Sequence, residues 1–407
     1  MKIHNPQKLE DFYNHEKTNV AIITDIFEPS VGGVENVTQN LCNAYNKNGL
    51  CNIALITGNA KGYEDKEDFL IIRTKSIKIP KKWGESQPVP NLDKKFKKLL
   101  EKMNIDVFHV HTVYGLASFA KKFAKKHNIP IVFHAHSKFS EEMPTIIKSK
   151  LISNIVIKRN YKFANNTDKI IAVSNGTKQN YLSHKVTKPE ISIIPNTSNF
   201  ELNTNENEIF EYFKTKYNIE KNIPILLFVG RLEMKCKNLD FLFNSLKILK
   251  EKNFDFKMLI VGGGTDEENL KTLSKNLGLE QNIIFAGKIT DKNLLSKYYY
   301  FADLFCFPST VDNCPVVKFE AASQKTPILA IKNSASCENV VDNCNGYSCE
   351  LNEEDYAHKI IEIFSDKQKL TKVSENAFKT LNVGWNNVSK QILEIFDEVI
   401  KSKKDKK

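Results

Sequence analysis

The stretch VAIITDIFEPSVGGVEN, residues 20–36, decides how we interpret the fold. An apolar run typical of a buried strand leads into a proline, two adjacent glycines and the apolar spacing of a helix. Two interpretations of Gly32 and Gly33 stay open at this point. One is a tight turn from strand to helix, and the other is a backbone that must come close to a ligand.

Similar apolar runs recur along the chain, each followed by a helix-like segment, in two series separated by a polar linker at 196–208. The first series comprises VAIIT (20–24), NIALIT (52–57), DVFHVH (106–111), IPIVFHAH (129–136), KIIAVS (169–174) and ISIIP (191–195), and the second comprises IPILLFVG (223–230), FKMLIVG (256–262), NIIFAG (282–287), DLFCFP (303–308) and TPILAI (326–331). Runs that are apolar on both faces are typical of central parallel strands. The pattern predicts two α/β, Rossmann-like, doubly wound parallel-sheet domains that face each other across a cleft, at 1–200 and 201–384, with ligands beyond the carboxyl ends of the strands.

Composition narrows the class of protein. The 407 residues include 59 Lys and Arg against 48 Asp and Glu, a formal net charge of +11, which indicates an anionic partner such as a phosphorylated substrate or a membrane surface. No nucleic-acid recognition motif accompanies this charge, so we expect no nucleic-acid partner. The polar N-terminus and the absence of a long apolar run in the sequence predict a cytoplasmic protein. The eight scattered cysteines predict free thiols.

Common nucleotide-binding signatures are incomplete. The turn GGGTDE (262–267) has Glu267 where a G-x-G-x-x-G fingerprint requires glycine, which disfavours a dehydrogenase. The sequence has no P-loop and no Asp-x-Asp pair that would hold a diphosphate through a divalent cation. We therefore expect any bound diphosphate to be neutralised by cationic side chains and helix N-termini, without a metal or other cofactor.

Suitable cations follow the first strand of the second series, in GRLEMKCKN (230–238). Arg231 stands at the end of the strand, and Lys237 precedes an apolar helix. An arginine fork and a lysine charge on one loop can clamp two phosphates. The alternative is a pair of solvated surface cations.

A second loop, FPSTVDNCPVVKFEAASQ (307–324), predicts a helix with Pro315 at its first position. The amides of Val316 and Val317 would then point outward and form an anion site.

Two acids flank this predicted anion site. Asp312 is a capping candidate for the helix, and Glu320 lies about one turn inside it, from which it can reach the same cleft. Such acceptors suit the hydroxyls of a ligand around a phosphate. The alternative is an N-cap and an ordinary exposed glutamate.

Histidines mark two strand ends of the first series. His134 and His136 alternate onto one face, and His109 and His111 form a second H-x-H pair on the preceding strand. A zinc site is conceivable from four histidines, but neither a carboxylate nor a cysteine accompanies them at ligand spacing, and we expect no metal there.

The ordered set of motifs resembles the family-four glycosyltransferases of the GT-B fold. The segments that carry the resemblance are FEPSVGGVEN, IIAVSNGTK, IIPN, the G-R-L…K-N-L-D loop, the VGGG turn and the acid-x7-acid motif that ends in E-A. They span about Val20 to Trp385. The closing segment NVGWNNVSKQILEIF (382–396) is similar to the family's last helix, which implies that residues 385–407 cross back to the first domain.

The resemblance implies roles for residues of the second domain. Arg231 and Lys237 match the pair that binds the donor diphosphate, although one extra residue in the loop makes Lys235 a competing candidate. Glu320 matches the carboxylate that holds the ribose hydroxyls, and Asp312 matches the acid that contacts the transferred sugar.

Further donor contacts are implied by Gly263 of the glycine turn and by Lys288 and Ile289, in the loop whose backbone reads the base. Pro315 stands where the family usually has glycine, so one N–H donor to the ligand is lost.

In the first domain, His136 best matches the histidine beside the reacting sugar carbon, with His134 as the second candidate. The resemblance places Gly32 and Gly33 under the sugar and diphosphate, where a side chain would obstruct them.

The implied activity is transfer of a hexose from a nucleotide diphosphate sugar, with UDP preferred, and with retention of anomeric configuration. The first domain would bind the acceptor, a lipid-linked or cell-surface glycan acceptor or a diacylglycerol. The resemblance thus points to the biosynthesis of glycolipids or envelope polysaccharides. The alternative on the same fold is a nucleotide-sugar 2-epimerase, which needs no acceptor.

Basic segments of the first domain suggest a membrane contact. Residues 75–103 are lysine-rich, and PTIIKSKLISNIVIKRNYKF (144–163) places Ile147, Leu151 and Ile155 at helical spacing among basic residues. One interpretation is a basic amphipathic helix on the anionic inner face of the cell membrane. The other is a helix that faces the core and has a solvated basic edge.

Overall fold

The computed structural model of the protein describes residues 1–14, 16–30, 32–77, 89–91, 94–219 and 222–405. Its contacts divide the chain into unit 1, Met1–Pro195 with Trp385–Lys407, and unit 2, Asn196–Gly384. The expected boundary between residues 200 and 201 is slightly too late, because the start of the supposed linker binds unit 2. The side-chain amide of Asn196 donates to the carbonyl of Cys314 over 3.0 Å.

Unit 1 is built on a twisted sheet whose strands follow the order β1-β4-β3-β2-β6-β7-β8-β9, with β5 paired to β4. Its strands are β1 (Lys2–His4), β2 (Thr18–Ile23), β3 (Cys51–Gly58), β4 (Leu70–Ile77), β5 (Val89–Asn91), β6 (Val107–Val110), β7 (Ile131–Ala135), β8 (Lys169–Ala172) and β9 (Glu190–Ile193). Neighbouring strands from β4 to β9 are parallel, whereas β1 and β5 pair antiparallel with β4. The predicted parallel sheet thus carries two short antiparallel strands beside β4.

Helices alternate with these strands and cover the sheet. They are α1 (Leu9–Asn14), α2 (Gly33–Asn48), α3 (Lys94–Lys102), α4 (Gly115–His127), α5 (Phe139–Ile146), α6 (Lys150–Ala164) and α7 (Asn175–Ser183), and a 3-10 turn at Pro6–Lys8 precedes α1. Apolar side chains of the central strands are buried on both faces; β2 from Asn19 onward and all of β6 and β7 are buried. Burial on both faces explains why these strands appear in the sequence as continuous apolar runs.

Unit 2 contains a parallel sheet in the order β12-β11-β10-β13-β14-β15. Its strands are β10 (Ile225–Val229), β11 (Lys257–Val261), β12 (Ile283–Gly287), β13 (Leu304–Phe307), β14 (Ile328–Ile331) and β15 (Tyr347–Cys349). Its helices are α8 (Glu206–Tyr217), α9 (Met234–Lys237), α10 (Leu239–Glu251), α11 (Glu267–Asn276), α12 (Lys292–Phe301), α13 (Val316–Ser323), α14 (Glu353–Ser365) and α15 (Lys367–Leu381). A 3-10 turn lies at Ala335–Cys337. Each predicted strand run overlaps one of the observed strands, so the doubly wound α/β prediction is confirmed.

The last helix, α16 (Trp385–Lys404), belongs to unit 1 and packs on α2. Buried Lys169 donates to Glu190 over 2.6 Å and to both carboxylate oxygens of Glu398 on α16 over 3.2 Å. The ammonium of Lys403 lies 2.7 Å from a carboxylate oxygen of Asp168. These charge pairs orient α16 on unit 1, in addition to the apolar packing of the helix. Residues 406–407 of the expected crossover segment lie outside the described residues.

Among the parallel strands, the order reverses once in each sheet, between β2 and β6 in unit 1 and between β10 and β13 in unit 2. The loops that follow these strands diverge, and such switch points are where open α/β sheets bind ligands. Each unit therefore offers one crevice at the carboxyl ends of its strands. Among the described residues, the structure contains no helix long and apolar enough to cross a bilayer.

Candidate active site

An ion pair spans the switch point of unit 2. Lys237 ends α9 after β10, and Asp312 follows β13. The Lys237 ammonium lies 2.7 and 2.8 Å from the two carboxylate oxygens of Asp312, and the hydroxyl of Ser309 also donates to that carboxylate. Because the two loops follow neighbouring parallel strands, the backbone brings a cation and an acid together at the carboxyl ends of these strands.

The other two cations of this loop differ from Lys237 in their surroundings. The Arg231 side chain is 75% exposed and lies 2.9 Å from Glu233, whereas the Lys237 side chain is 11% exposed. Lys235 is exposed on the same short helix. Lys237 is thus held in place over the crevice, Arg231 is exposed and paired with Glu233, and Lys235 faces solvent.

Helix α13 begins at Val316, one residue later than expected, with Pro315 as its N-cap in an extended conformation. Asp312 is not the cap of this helix, because its carboxylate is engaged by Lys237 and Ser309. The first amides of a helix lack intrahelical acceptors, so those of Val316 and Val317 can serve an anion.

Glu320 lies on the same helix, and its carboxylate accepts a hydrogen bond from the hydroxyl of Tyr299 over 2.8 Å. The side chain is half-buried. Burial raises the pKa of Glu320, and the Tyr299 hydrogen bond opposes that rise. Tyr299 therefore orients one carboxylate oxygen.

Close backbone packing requires glycine at two positions of the turn after β11. A Cβ on Gly262, which has a φ of +148°, would lie 1.9 Å from the carbonyl oxygen of Gly230, and one on Gly264 would lie 2.3 Å from that of Leu232. A Cβ on Gly263 would meet nothing closer than 3.6 Å. The first and third glycines therefore hold the turn against the loop that carries Arg231, while the middle one has space beside it.

The loop after β12 lies next to this turn. The Cβ of Lys288 is the atom that a side chain on Gly263 would approach, at 3.6 Å. Lys288 is exposed and Ile289 is half-buried. The two loops together form one side of the unit 2 crevice.

In unit 1, neither glycine of the opening stretch is required by the local backbone. Gly32 is extended, with a φ of −158°, and a Cβ there would meet only the carboxylate end of the flexible Glu35 side chain, at 2.4 Å. Gly33 begins α2, and a Cβ there would meet nothing within 4 Å. The tight-turn interpretation is therefore unsupported, and the interpretation that this space serves a ligand stays a prediction.

Two buried charges brace the loop that carries these glycines. Asp25 accepts hydrogen bonds from the Thr112 hydroxyl over 2.9 Å and from the amide of Leu116, at the start of α4, over 2.9 Å. Burial raises the pKa of Asp25, although these hydrogen bonds oppose the rise. Arg73 pairs with buried Asp65 and donates to the carbonyl of Glu28 over 2.8 Å.

The histidines at the ends of β6 and β7 form one cluster. His134 is buried, whereas His136 is half-buried and stacks on it with ring centroids 4.4 Å apart. Burial lowers the pKa of His136 to about 3, so its ring is neutral near pH 7. His136 is the better exposed of the two and hence the better candidate for substrate contact.

Three of these rings, His109, His111 and His134, place nitrogens within 4.8 Å of one another, a donor set that suits zinc. Those nitrogens already hydrogen-bond to each other: His111 Nε2 lies 3.2 Å from His109 Nδ1, and His134 Nδ1 lies 3.3 Å from His109 Nε2. A metal would have to break these contacts. That no metal binds stays a prediction.

Several residues that complete these crevices were not found from the sequence. Ser309, in the loop after a strand, could have been noticed as a partner for Asp312. No local sequence pattern marks Tyr299 or Arg73 as a functional residue. Tyr299 lies in a helix with several aromatic residues, and Arg73 lies inside a strand. Their roles depend on contacts between segments that are distant along the chain.

The comparison with known families is decisive at this point. The family model for Glycosyl transferases group 1 matches residues 210–380, and the model for Glycosyltransferase Family 4 matches residues 31–201. The chain belongs to the family-four glycosyltransferases. The predicted family and enzyme class are thereby confirmed, and the two family models cover the unit 2 and unit 1 crevices respectively.

Individual proteins agree with this assignment. An uncharacterized glycosyltransferase of Haemophilus influenzae is 27% identical over 79% of this chain and 84% of its own length. The alpha-monoglucosyldiacylglycerol synthase of Acholeplasma laidlawii is 24% identical over 88% of this chain and 91% of its own length. The Anabaena protein HepE, solved in complex with UDP, matches with a TM-score of 0.73 and 18% identity over 94% of this chain and 100% of that chain. The last likeness confirms the GT-B fold, and these relatives give no support to the epimerase alternative.

Proposed function

We propose that this glycosyltransferase moves a hexose from a UDP-sugar to a lipid-linked or glycan acceptor of the cell envelope, with retention of configuration. The observation that carries the proposal is the half-buried Lys237 held over the switch point of unit 2, beside the exposed Arg231. The binding of UDP by HepE, which shares the fold, supports uracil as the base of the donor.

The chemistry that this crevice supports is stabilisation of a leaving diphosphate. Arg231 and Lys237 supply two cations, and the amides of Val316 and Val317 supply hydrogen-bond donors at a helix N-terminus. Charge develops on the diphosphate as the glycosidic bond breaks, so donors that are already in place lower the barrier. Because these groups neutralise the charge, we propose that no divalent ion is needed.

The remaining residues of unit 2 would position the donor. Asp312, whose carboxylate also fixes Lys237, would accept hydrogen bonds from the hydroxyls of the hexose. Glu320, oriented by Tyr299, would hold the ribose hydroxyls. The backbone of Lys288 and Ile289 would contact the base, and Gly263 would leave room beside it.

Unit 1 would complete the reaction and bind the acceptor. The open space at Gly33 would admit the sugar and diphosphate, and His136 would contact the transferred hexose as a neutral ring. Asp25 and Arg73, which brace the glycine loop, would keep that space open.

A diacylglycerol is the acceptor we would test first, since the Acholeplasma relative is named for making a monoglucosyl product of that lipid. The purified chain would be incubated in turn with UDP-glucose, UDP-galactose, UDP-N-acetylglucosamine and GDP-mannose, with diacylglycerol in mixed micelles. The proposal expects one UDP-sugar to give a glycolipid whose anomeric configuration, read by NMR, matches the donor. Conversion of a donor to its epimer without an acceptor, or transfer from GDP-mannose alone, would contradict it.

A patch on unit 1 supports contact with an anionic membrane. Leu151 and Ile155, one turn apart on α6, are 73% and 50% exposed, and Ile146 at the end of α5 is 47% exposed. Exposed Lys148, Lys150, Lys158 and Arg159 surround them. Ile147, which the sequence had placed on the same stripe, is half-buried and packs against the core instead. Of the lysine-rich residues 75–103, residues 78–88 and 92–93 lie outside the described residues.

The double variant Leu151→Ser, Ile155→Ser is expected to bind vesicles containing phosphatidylglycerol about tenfold or more weakly, because the apolar contribution of two side chains is lost. Sedimentation with vesicles at low salt measures this, and high salt should weaken binding by the wild type as well. Leu351→Ser, at a 54% exposed site in unit 2, is the control and should bind normally. Equal binding by all three proteins, or no binding by the wild type at low salt, would contradict the membrane contact.

A further inference from the structure

The four histidines at the ends of β6 and β7 form one continuous hydrogen-bonded chain. His136 Nε2 lies 3.0 Å from His111 Nδ1, His111 Nε2 lies 3.2 Å from His109 Nδ1, and His109 Nε2 lies 3.3 Å from His134 Nδ1. The chain runs from a half-buried ring at the crevice to a buried ring in the core. Each inner ring is joined through both of its nitrogens.

Such a chain has only two consistent arrangements of protons. Burial holds the pKa of every one of these imidazoles below its usual range, so each ring is neutral and carries one N–H and one lone pair. If one ring donates from Nδ1, the next ring accepts at Nε2 and must therefore carry its own proton on Nδ1. The same reasoning applies to each pair of rings along the chain. The rings are therefore all protonated at Nδ1 or all protonated at Nε2.

Thr38 selects between the two arrangements. Its hydroxyl, on α2, donates to the carbonyl of Val34 over 2.8 Å, and the same oxygen lies 3.1 Å from His111 Nδ1. A hydroxyl has a single hydrogen, which the carbonyl already occupies. At His111 the Thr38 oxygen therefore accepts, which places the proton on His111 Nδ1, where a three-centre hydrogen bond shares it between Thr38 and His136 Nε2.

The buried end of the chain indicates the same arrangement. His134 Nε2 is buried and has no hydrogen-bond partner among the described residues. Protonation at Nδ1 leaves a lone pair at that position, whereas protonation at Nε2 would leave a buried N–H without an acceptor. Orphaned N–H groups are the rarer of the two in folded proteins.

We propose that Thr38 is a positioning residue that sets all four histidines as Nδ1–H tautomers and thereby makes His136 present an N–H at Nδ1. The catalytic consequence rests on the proposed contact of His136 with the sugar, but the tautomer does not. His136 would donate a hydrogen bond to an oxygen of the bound sugar rather than accept a proton through Nδ1. Stacking on His134 keeps the ring in that orientation.

The test is to read the ring nitrogens of the intact protein with ¹⁵N-labelled histidine, because protonated and unprotonated nitrogens differ clearly in chemical shift. In the wild type, the four rings should be protonated at Nδ1 and unprotonated at Nε2. Thr38→Val removes the hydroxyl with little change in volume and should convert all four rings together, in part or entirely, to Nε2–H. Thr38→Ser retains the hydroxyl and should restore the wild-type pattern.

Activity separates this inference from the proposed function. Thr38→Val should lower kcat roughly tenfold, about the loss of one positioned hydrogen bond, and Thr38→Ser should recover most of it. If Thr38→Val changes the tautomers but not kcat, the inference stands and the role of His136 in transfer fails. Nε2–H rings in the wild type, an unchanged pattern in Thr38→Val, or stoichiometric Zn²⁺ binding that abolishes the Nδ1–H signals would overturn the inference.

Discussion

Replacing Lys237 with alanine is expected to lower kcat/KM by at least about 10²-fold, the usual cost of losing one donor that stabilises developing negative charge. The Lys237 side chain is 11% exposed and its ammonium is held by both oxygens of Asp312, so the cation is already in position before the donor binds. Steady-state transfer kinetics would measure the loss. The melting temperature should change little, because Asp312 remains partly solvated in the variant.

Lys235 provides the matched control for this experiment. It lies on the same short helix but is exposed, so Lys235→Ala should keep kcat/KM within a few-fold of the wild type. The extra residue in the loop left open which lysine corresponds to the diphosphate-binding position of the family. The pair of variants decides between them. A large loss in Lys235→Ala with a normal Lys237→Ala would reverse the assignment.

Replacing Gly33 with phenylalanine is expected to abolish measurable transfer while leaving the fold intact. A Cβ at this position meets nothing within 4 Å, so the protein can accommodate a side chain, and the helix that begins there gains a residue with better helix propensity than glycine. The lost function would come from occupation of the space that we assign to the sugar and diphosphate.

A graded series makes this prediction sharper. Gly33→Ala should retain part of the activity, Gly33→Leu less, and Gly33→Phe none, with circular dichroism spectra and melting temperatures that stay near those of the wild type. Donor binding measured by calorimetry should weaken in the same order. Full activity in Gly33→Phe, or loss of activity that tracks unfolding, would show that the open space serves no ligand.

The architecture was predictable because central parallel strands are buried on both faces and leave continuous apolar runs in the sequence. Strand β4 was missed although Leu70–Ile72 are apolar, since Arg73 interrupts the run. The structure shows why the sheet tolerates this charge: Arg73 forms a buried ion pair with Asp65 at 2.6 Å. The short edge strands β1 and β5 have too few residues to produce a pattern.

The positions of the crevice residues could be predicted from the sequence, but their hydrogen-bond and ion-pair partners could not. Arg231 and Asp312 were found because they follow strands, and the family resemblance added their roles. No sequence pattern indicated that Lys237 would pair with Asp312 or that Tyr299 would orient Glu320. Those contacts depend on strand order and on distances across the sheet.

The histidine chain illustrates the same limit. Alternation along a strand placed His134 and His136 on one face, which their stacked rings bear out. The link to His109 and His111 depends on the parallel register of β6 with β7, in which His109 lies opposite Val132. A helix on the other side of the strand end supplies the hydroxyl of Thr38, and periodicity alone cannot anticipate such a contact.

The most direct test of the account is titration of UDP into the protein by isothermal calorimetry, with EDTA and then with Mg²⁺, in the wild type and in Lys237→Ala. If protein cations and helix amides neutralise the diphosphate, wild-type affinity should agree within about twofold in the two buffers. Lys237→Ala should bind at least about tenfold more weakly in both, a difference of about 1.4 kcal/mol. Binding that appears only with Mg²⁺, or that is unaffected by the loss of Lys237, would contradict the account.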